Sequence, residues 1–386
     1  MKWATLIAVL NVCTAHMFGQ DTTVAPPFVR GGIYDRPYLY RPSDRLAIGG
    51  YAETMLRSEW VEGVHENLSF EARRFNIFLF SAISPHIKLT SEIEFEHGTE
   101  EIKIEMALVD IQLYDELNLR GGILLSPLGK FNLAHDSPRN DFTDRPLVST
   151  RIIPATLSEA GFGLYGAFTL HEEHRITYEA YLVNGLNDNV VLNGDGTSIP
   201  EGRPRTFDAD NNASPAFVAR LAWLPEFGLE LGVSAHTGLY NTYRKEGLVV
   251  DERRRLTIFA VDGEYRWEGL TLQGEFAYAR IQIPPSLVGL FAERQQGIYA
   301  QAVYELFRSL LPMFPQAVLS AGVRYDRVDF DTMVRGDQVE RVTAGVQLRL
   351  VPDTVIKLDY QHNWIQDRLR NETRAAVIQF GFATYF

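Results

Sequence analysis

Ionisable residues in this sequence recur two positions apart inside otherwise apolar stretches. Asp262 and Glu264 are separated by one residue, and so are Arg324 and Asp326. In an extended strand, side chains two positions apart lie on the same side, so each pair places its charges on one face. Charges gathered on one face can pair with each other, or they can attract small ions and order water. The predicted charged face contains Arg45, Arg120, Arg220, Arg324, Arg349, Glu94, Asp110, Asp262, Glu264, Glu275 and Asp326.

Alternation of apolar and polar residues predicts the strands that carry these charges. Between 229 and 236, leucine, valine and alanine alternate with glutamate, glycine, serine and histidine, and 341–350 shows the same pattern. About sixteen such segments follow one another along the chain. Each is close to the length of a tilted transmembrane strand, about 9 to 11 residues. They begin near Arg45, Leu68, His86, Ile102, Leu117, Gly161, Arg175, Phe217, Leu229, Thr257, Leu270, Gly297, Ala317, Val339, Val355 and Ala375.

The connections between these segments alternate in length. Tight turns are predicted at 84–85, 114–116, 171–174, 225–227, 267–269 and 352–353, and longer polar connections at 58–66, 126–159, 187–213, 240–255, 283–296, 329–338 and 366–371. This alternation and an even strand count are typical of membrane barrels. The sequence therefore predicts an all-β fold, a transmembrane antiparallel up-and-down β-barrel of about 16 strands, with 18 possible. A soluble sandwich of two sheets also alternates, but it does not require every second loop to be long.

The first twenty residues have the features of a secretory signal peptide. Lys2 precedes an apolar run, Trp3 to Val12, that is much shorter than the roughly 20 residues of a membrane-spanning helix. Cleavage could follow Ala15, Gly19 or Gln20. We therefore expect a signal peptide at 1–20, an N-terminal leader at 21–43 and the barrel at 44–386, exported to the bacterial outer membrane. The formal charge of −12 and the absence of a basic block argue against a nucleic-acid partner.

The final strand is apolar and aromatic on one face. Phe380, Phe382 and Phe386 share that face, and Gln379 and Tyr385 share the other. A closing strand that ends in Phe is typical of bacterial outer-membrane barrels. We therefore expect it to pair with the first strand, and we expect Phe386 to be recognised by the barrel assembly machinery. Outer-membrane lipid and lipopolysaccharide are then the expected surroundings.

The longest predicted connection, 126–159, has no obvious helix or strand. It combines basic residues such as Lys130 and Arg145 with aromatic residues and prolines. Loops of this length are usually functional or disordered. In a barrel, such a loop is expected to fold inward and set the constriction. The alternative is an outward loop that contacts other proteins.

Sequence motifs for catalysis and metal binding are incomplete. Gly161 to Gly166 fits G-x-G-x-x-G, but no helix follows to bind a pyrophosphate. His171 to His174 lacks the helical HExxH spacing of a zinc site. Ser234 and His236 share a strand face, but no acidic third partner can be identified. The sequence therefore predicts no enzyme, no cofactor and no metal. An outer-membrane hydrolase and a structural or adhesive barrel with a closed lumen are the rival hypotheses.

Several stretches resemble the phosphate-selective porin O and P family of outer-membrane channels. They are 70–75, 119–122 with Pro127, 144–148, 260–265, 273–276, 323–326 and 345–362, so the resemblance covers nearly all of the chain after residue 20. It implies a homotrimer of water-filled barrels with an inward third loop. It also implies passive diffusion of small hydrophilic solutes or ions.

The resemblance implies anion preference through lumenal arginines, and Arg73, Arg74, Arg120 and Arg324 lie at matching positions. The family's lysine two residues before the proline is Leu125 here, and the net charge is negative. A general or differently selective porin is therefore expected, and its solutes extend to anions such as phosphate. The candidate pore-lining residues are Arg73, Arg74, Arg120, Lys130, Arg145, Arg220, Asp262, Glu264, Glu275 and Arg324.

Overall fold

The structure of the chain is a computed structural model that describes residues 32–37, 46–170, 174–194, 196–225 and 228–386. The expected signal peptide at 1–20 lies outside the described residues, as do Arg45 and most of the expected leader. Within the described ranges, no helix is both long and apolar enough to span a membrane.

Sixteen antiparallel strands form one closed barrel, which confirms the predicted fold class. The barrel strands are β1 (Leu46–Val61), β2 (Val64–Ala82), β3 (Ile87–Glu96), β4 (Glu101–Tyr114), β5 (Leu117–Leu125), β6 (Ser158–Thr169), β7 (Arg175–Val183), β8 (Ala216–Leu224), β9 (Leu229–Leu239), β12 (Arg255–Trp267), β13 (Leu270–Ile281), β14 (Arg294–Arg308), β15 (Val318–Asp329), β16 (Gln338–Val351), β17 (Thr354–Gln366) and β18 (Glu372–Tyr385). Two short strands, β10 (Arg244–Lys245) and β11 (Leu248–Val249), form a separate hairpin in the connection between β9 and β12. Each barrel strand pairs with the neighbouring barrel strands in the sequence.

The barrel closes where β18 pairs with β1, from Tyr51 opposite Tyr385 to Val61 opposite Ala375. Phe386 continues the seam, because its backbone N–H donates to the Gly50 carbonyl at 3.0 Å and its carbonyl accepts from the Gly50 N–H at 3.1 Å. Closure removes the free edges that an open sheet presents, as a hydrocarbon environment requires.

The two faces of the barrel wall differ in polarity, as the alternation predicts. On β9, Leu231 and Val233 are exposed on the outer face, whereas Glu230, Ser234 and His236 are buried on the inner face. The outer face of β18 presents Ile378, Phe380 and Phe382 in the same way. A continuous apolar outer belt around a polar interior is the arrangement of a transmembrane barrel.

The connections at one end of the barrel are mostly short, and we call this the short-turn end. These connections are 83–86, 115–116, 170–174, 225–228, 268–269, 309–317 and 352–353. The opposite, long-loop end has the connections 62–63, 97–100, 126–157, 184–215, 240–254, 282–293, 330–337 and 367–371.

The prediction of a long connection at 58–66 was wrong. Strands β1 and β2 continue through this segment, with 16 and 19 residues respectively, and only Glu62 and Gly63 form the turn. Both turn residues have positive φ, 49° and 81°. A two-residue hairpin turn requires that backbone conformation and uses glycine readily, so the polar composition of 58–66 belongs to strand residues rather than to a loop.

The connection 126–157, which we call loop L3, contains two short helices that the sequence pattern did not predict. These are α1 (Lys130–Leu133) and α2 (Leu147–Arg151). Apolar L3 side chains pack into one core with inward-facing residues of the wall. The fully buried members from L3 are Leu128, Val148, Ile152, Ile153 and Leu157. The wall supplies residues such as Ile258 and Ala277. Burial of each large aliphatic side chain contributes about 1.5–3 kcal/mol, so L3 is held inside the barrel.

Candidate functional site in the barrel lumen

A β-bulge on β2 turns two successive arginines into the lumen. Ala72 pairs with Thr54 and Arg74 pairs with Glu53, so Arg73 is the extra residue. Regular alternation would direct one of the two arginines outward. The bulge cancels that alternation at this point, because it inserts one residue on one strand only.

Arg73 and Arg74 have different partners. The Arg73 guanidinium donates to the Thr143 carbonyl at 3.2 Å and to Asp144 Oδ1 at 3.0 Å, both in L3. Arg74 lies in the wall, where Nη1 donates to Glu53 Oε2 at 2.9 Å and Nε donates to Glu96 Oε1 at 2.8 Å. Arg73 therefore fixes the loop, whereas Arg74 links neighbouring strands.

Asp144 lies at the centre of a positively charged cluster. Arg57 and Arg73 both donate to its carboxylate. Burial opposes ionisation of Asp144, but the nearby Arg73, Arg341 and Arg57 guanidinium groups outweigh burial and hold its pKa well below the usual range. This carboxylate therefore stays charged at neutral and mildly acidic pH.

A second bulge, on β4, turns Glu105 inward beside Met106. Nε2 of His135 in L3 lies 2.6 Å from Glu105 Oε1. Burial and the positive charge of Arg145 lower the pKa of His135 to about 4. The His135 ring is therefore neutral at physiological pH, and L3 meets β4 through a neutral imidazole.

Helix α1 is attached to the opposite wall by Lys130. Its Nζ lies 2.7 Å from Glu230 Oε2 and 3.0 Å from Glu264 Oε2. Arg220 completes this cluster, because it lies 2.5 Å from Asp262 and 3.1 Å from Glu230. These groups form one network of paired charges on β8, β9 and β12.

Glu275 on β13 accepts hydrogen bonds from L3. Ser149 Oγ donates to it at 2.6 Å, and the backbone N–H of Phe131 donates at 3.2 Å. One carboxylate thus contacts both α2 and the second residue of α1. Glu275 therefore accepts hydrogen bonds that orient L3, rather than forming an ion pair with a basic side chain of the wall.

Arg324 and Arg341 hold the second half of L3 by its backbone. Arg324 donates to Asp326 at 2.9 Å and to the Asp144 carbonyl at 3.0 Å. Arg341 donates to Asp326 at 3.2 Å and to the Arg145 carbonyl at 2.7 Å. The Arg145 guanidinium itself donates to Thr156 Oγ1 at 3.3 Å.

Arg120 is enclosed by its partners. Its guanidinium donates to Asp110, Glu179 and the hydroxyl of Tyr181. It also donates to the hydroxyl of Tyr34 at 2.7 Å. Tyr34 lies in the N-terminal leader, so this contact joins the leader to the barrel wall.

All ten candidate residues thus lie on the inner face of the wall or in L3, and each contacts at least one partner. Sequence reasoning missed Glu53, Arg57, Glu105 and Asp144, and it assigned no role to His135. Alternation of β1 could have identified Glu53 and Arg57. The bulge at Glu105 and the position of the L3 residues have no signal in the alternation. No group of three or more His, Cys, Asp or Glu side chains in the described ranges is arranged to bind a metal.

Two cavities lie on opposite sides of L3. One, of about 380 Å³, opens at the short-turn end beside Asp353, and Arg266, Arg349 and Asp141 line it. The other, of about 460 Å³, lies at the long-loop end, and Lys103 and Thr156 are among its lining residues. The two linings share no residue, and L3 contributes to both.

The Ser234–His236 pair has an acidic neighbour that the sequence did not reveal. His236 Nε2 lies 3.0 Å from Glu159 Oε1, and Ser126 Oγ donates to Glu159 Oε2 at 2.6 Å. Ser234 Oγ instead accepts from the backbone N–H of Gly129 at 2.9 Å. All four side chains are buried, and none lines either cavity described above. These contacts attach L3 to β6 and β9.

Comparisons with known proteins identify the fold. No protein-family model matches the sequence. A protein of Aquifex aeolicus described as uncharacterized is 26% identical over 374 residues, covering 89% of this chain and 81% of the relative.

Three solved structures are similar in fold. An anion-selective porin from Comamonas acidovorans has a TM-score of 0.58 at 10% identity, over 88% of this chain and 99% of the porin. The outer-membrane channel DcaP of Acinetobacter baumannii has a TM-score of 0.57 at 10% identity, over 90% and 99%. The trimer form of OmpT, an outer membrane protein of Vibrio cholerae, has a TM-score of 0.55 at 10% identity, over 89% and 100%. The chain therefore has the barrel fold of bacterial outer-membrane porins.

Proposed function

We propose that this protein is an outer-membrane porin, a water-filled channel for passive diffusion of small hydrophilic solutes and ions. The observation that carries the proposal is the closed sixteen-strand barrel, apolar outside and charged inside, with a loop folded into its lumen. Short turns then face the periplasm and long loops face outward, as in other such barrels. The resemblance to the phosphate-selective porin O and P family stays a prediction.

Solute discrimination requires no covalent step. Carboxylates cluster on β3 and β4, where Glu92, Glu94 and Glu96 face inward with Glu105. Guanidinium groups cluster around Asp144 of L3, where Arg57 and Arg73 reach it from the neighbouring strands β1 and β2. Charges of both signs along a water-filled passage orient water and favour small polar solutes over apolar ones.

We further propose a preference for small anions, phosphate included. Two basic side chains of the lumen, Arg57 and Arg266, are more exposed than the carboxylates of β3. The exposed side-chain fraction is 28% for Arg57 and 50% for Arg266, but 1% for Glu94. The exposed carboxylates Glu59 and Asp35 each pair with an arginine. A passing ion therefore meets a more positive surface than the formal charge of −12 suggests.

The proposed surroundings follow from the fold. The protein would assemble as a homotrimer in outer-membrane lipid and lipopolysaccharide, after insertion by the barrel assembly machinery through Phe386. No catalytic role is proposed, and no cofactor is needed for diffusion. Chemical cross-linking in detergent tests the trimer, and truncation of Phe386 tests insertion.

Planar-bilayer recording tests the function directly. Purified, heat-modifiable protein should give ion channels, and its reversal potential in asymmetric KCl should have the sign of an anion-preferring pore. Correctly folded protein that gives no channels would support the rival of a structural barrel with a closed lumen. Lipid or peptide hydrolysis that Ser234→Ala abolishes would support the enzyme rival instead.

A further inference from the structure

A short segment of the N-terminal leader lies inside the barrel. Ile33–Asp35 forms one turn of 3-10 helix, and the neighbouring residues Gly32 and Arg36 are buried. Tyr34 and Arg36 are 7% and 4% exposed. Residues outside the strands of a membrane barrel ordinarily face water. The burial of Tyr34 and Arg36 therefore indicates specific contacts with the residues that line the lumen.

Arg36 joins three parts of the molecule. Nε and Nη2 donate to the two carboxylate oxygens of Asp136 at 2.8 and 2.7 Å. Nη2 also lies 2.8 Å from Glu92 Oε2 on β3, and the guanidinium lies 3.9 Å from the centre of the Phe78 ring on β2. A fork-shaped guanidinium on a carboxylate sets the orientation of both groups. Arg36 thus fixes the leader to L3 and to the wall at once.

Two further contacts hold the same segment. Tyr34 accepts from Arg120 at 2.7 Å, and Arg139 of L3 lies 2.8 Å from Asp35 Oδ2. L3 therefore meets the leader at both Asp136 and Arg139. The leader and L3 form one connected element rather than two independent ones.

The segment lies deep in the barrel. Glu92 is the sixth residue of β3, which begins at the short-turn end, so Arg36 contacts the wall about 17 Å along that strand. Leu46 begins β1 at this same short-turn end. At its depth, the segment Gly32–Pro37 occupies part of the cross-section of the lumen that a solute could otherwise use.

We propose that Gly32–Pro37 is a second constricting element of the pore. Arg36 would then determine the pore diameter and the ion selectivity, because it fixes this segment to L3. This inference rests on the porin function proposed above. The barrel strands and L3 alone would leave a wider passage. Without Arg36, Asp136 retains a hydrogen bond from the Tyr385 hydroxyl and Glu92 retains one from the Asn76 amide, but the lumen loses a positive charge, which favours cations.

Single-channel recording of Arg36→Ala tests the proposal. The variant should give a larger and more variable conductance than the wild type, and its reversal potential should move toward cation preference. Arg308→Ala is the matched control, because it removes the same charge from an exposed site at the end of β14. If Arg36→Ala does not fold, Arg36→Lys and Asp136→Asn should each give a smaller increase in conductance, since each retains part of the ion-pair network. Asp136→Asn should move the reversal potential toward anions, because it removes a carboxylate beside Arg36.

Thiol labelling supplies a readout that does not depend on conduction. Ile33 lies in the leader segment, so a cysteine at this position reports how accessible the segment is. The Ile33→Cys variant is made in a Cys13→Ser background, so that it carries a single thiol. A small water-soluble maleimide should label Ile33→Cys slowly, and much faster when Arg36→Ala is added. The Arg308→Ala addition should leave the labelling rate unchanged.

The outcomes separate the two proposals. A conducting wild type with unchanged conductance, selectivity and labelling in Arg36→Ala would overturn the second constriction and leave the porin function intact. Folded wild type, Arg36→Ala and Arg308→Ala that all fail to conduct would overturn the porin function, and the constriction with it. A larger conductance and faster labelling in Arg36→Ala, with neither change in Arg308→Ala, would support the proposal.

Discussion

The two halves of the barrel interior hold the same loop with a different balance of apolar and polar contacts. On the side of β8 to β13, apolar L3 residues such as Val148 and Ile152 share one buried core with Ile258 and Ala277, alongside the polar contacts of Lys130 and Ser149 with the wall. On the side of β1 to β4 and β15 to β17, the loop meets the wall through ion pairs and backbone hydrogen bonds. Burial of apolar surface has no preferred direction, whereas hydrogen bonds to charged groups orient their partners. The apolar half therefore anchors L3, and the polar half determines which groups a solute meets.

Removal of an anchor from the apolar half should have the largest effect. Ile152→Ala deletes a fully buried side chain in L3 and leaves a cavity, which should lower the free energy of unfolding by about 2–5 kcal/mol. Urea unfolding in detergent micelles measures this, with the outward-facing Ile104→Ala as control. Equal stability of the two variants would show that the apolar half does not anchor the loop.

The polar half should respond to pH through His135. Its folded-state pKa is lowered to about 4, so between about pH 6.5 and 4 the unfolded chain binds a proton that the folded chain excludes. Stability should therefore fall as the pH drops through this window, by about 3 kcal/mol. Urea midpoints of the wild type and His135→Gln between pH 4 and 7 measure the effect. Parallel pH profiles for the two proteins would contradict a buried neutral His135.

Asp144 should stay ionised at pH 4, where an ordinary aspartate is partly protonated. Because arginines hold its pKa well below the usual range, its contribution to stability is present above the unfolded pKa and is lost only as pH falls through the depressed value. Asp144→Asn should therefore change selectivity at pH 4 as much as at pH 7, toward anions, since Arg57 and Arg73 lose their partner. Reversal potentials at the two pH values measure this, and an Asn effect confined to pH 7 would contradict it.

Arginines of the lumen should affect selectivity in proportion to their exposure. Replacement of Arg73, Arg74 and Arg120 by Gln should move the reversal potential toward cations. Arg73→Gln should account for most of the shift, because its side chain is 15% exposed and the other two are 7% and 6% exposed. An unchanged reversal potential in the triple variant would remove these residues from the selectivity site.

The smallest effect is expected outside the lumen. Arg205 pairs with Glu201 in the exposed connection 184–215. Arg205→Ala should change the free energy of unfolding by less than about 0.5 kcal/mol, as exposed ion pairs usually do. The same urea assay gives this baseline, and a change as large as that of Ile152→Ala would indicate a structural role that its exposure does not suggest.

Much of the barrel was predictable from alternation, because lipid on one side and a polar lumen on the other select residue type at every second position. The sixteen predicted strand starts fall within a few residues of those observed, including Leu117, Arg175, Leu229 and Leu270. Alternation failed at 58–66, where polar strand residues resembled a loop. It also failed at Arg73 and Glu105, because a bulge shifts the register without altering composition.

The candidate site was less predictable than the wall. Leu125, where the resembling family has lysine, is buried in the apolar core beneath L3. Nothing in the local sequence shows that this half of the lumen is apolar. The property belongs to residues from L3 and several strands that meet only after the barrel closes.

The sequence by itself determined the strands, their two faces and the order of turns and loops, because each depends on neighbouring residues and on a period of two. Only the tertiary structure decided which charges pair, where L3 packs and that Arg36 reaches Asp136 and Glu92. Those contacts join residues as far apart as Lys130 and Glu264, which are separated by 134 positions, and side-chain partners at such separations depend on barrel closure and register rather than on any local pattern.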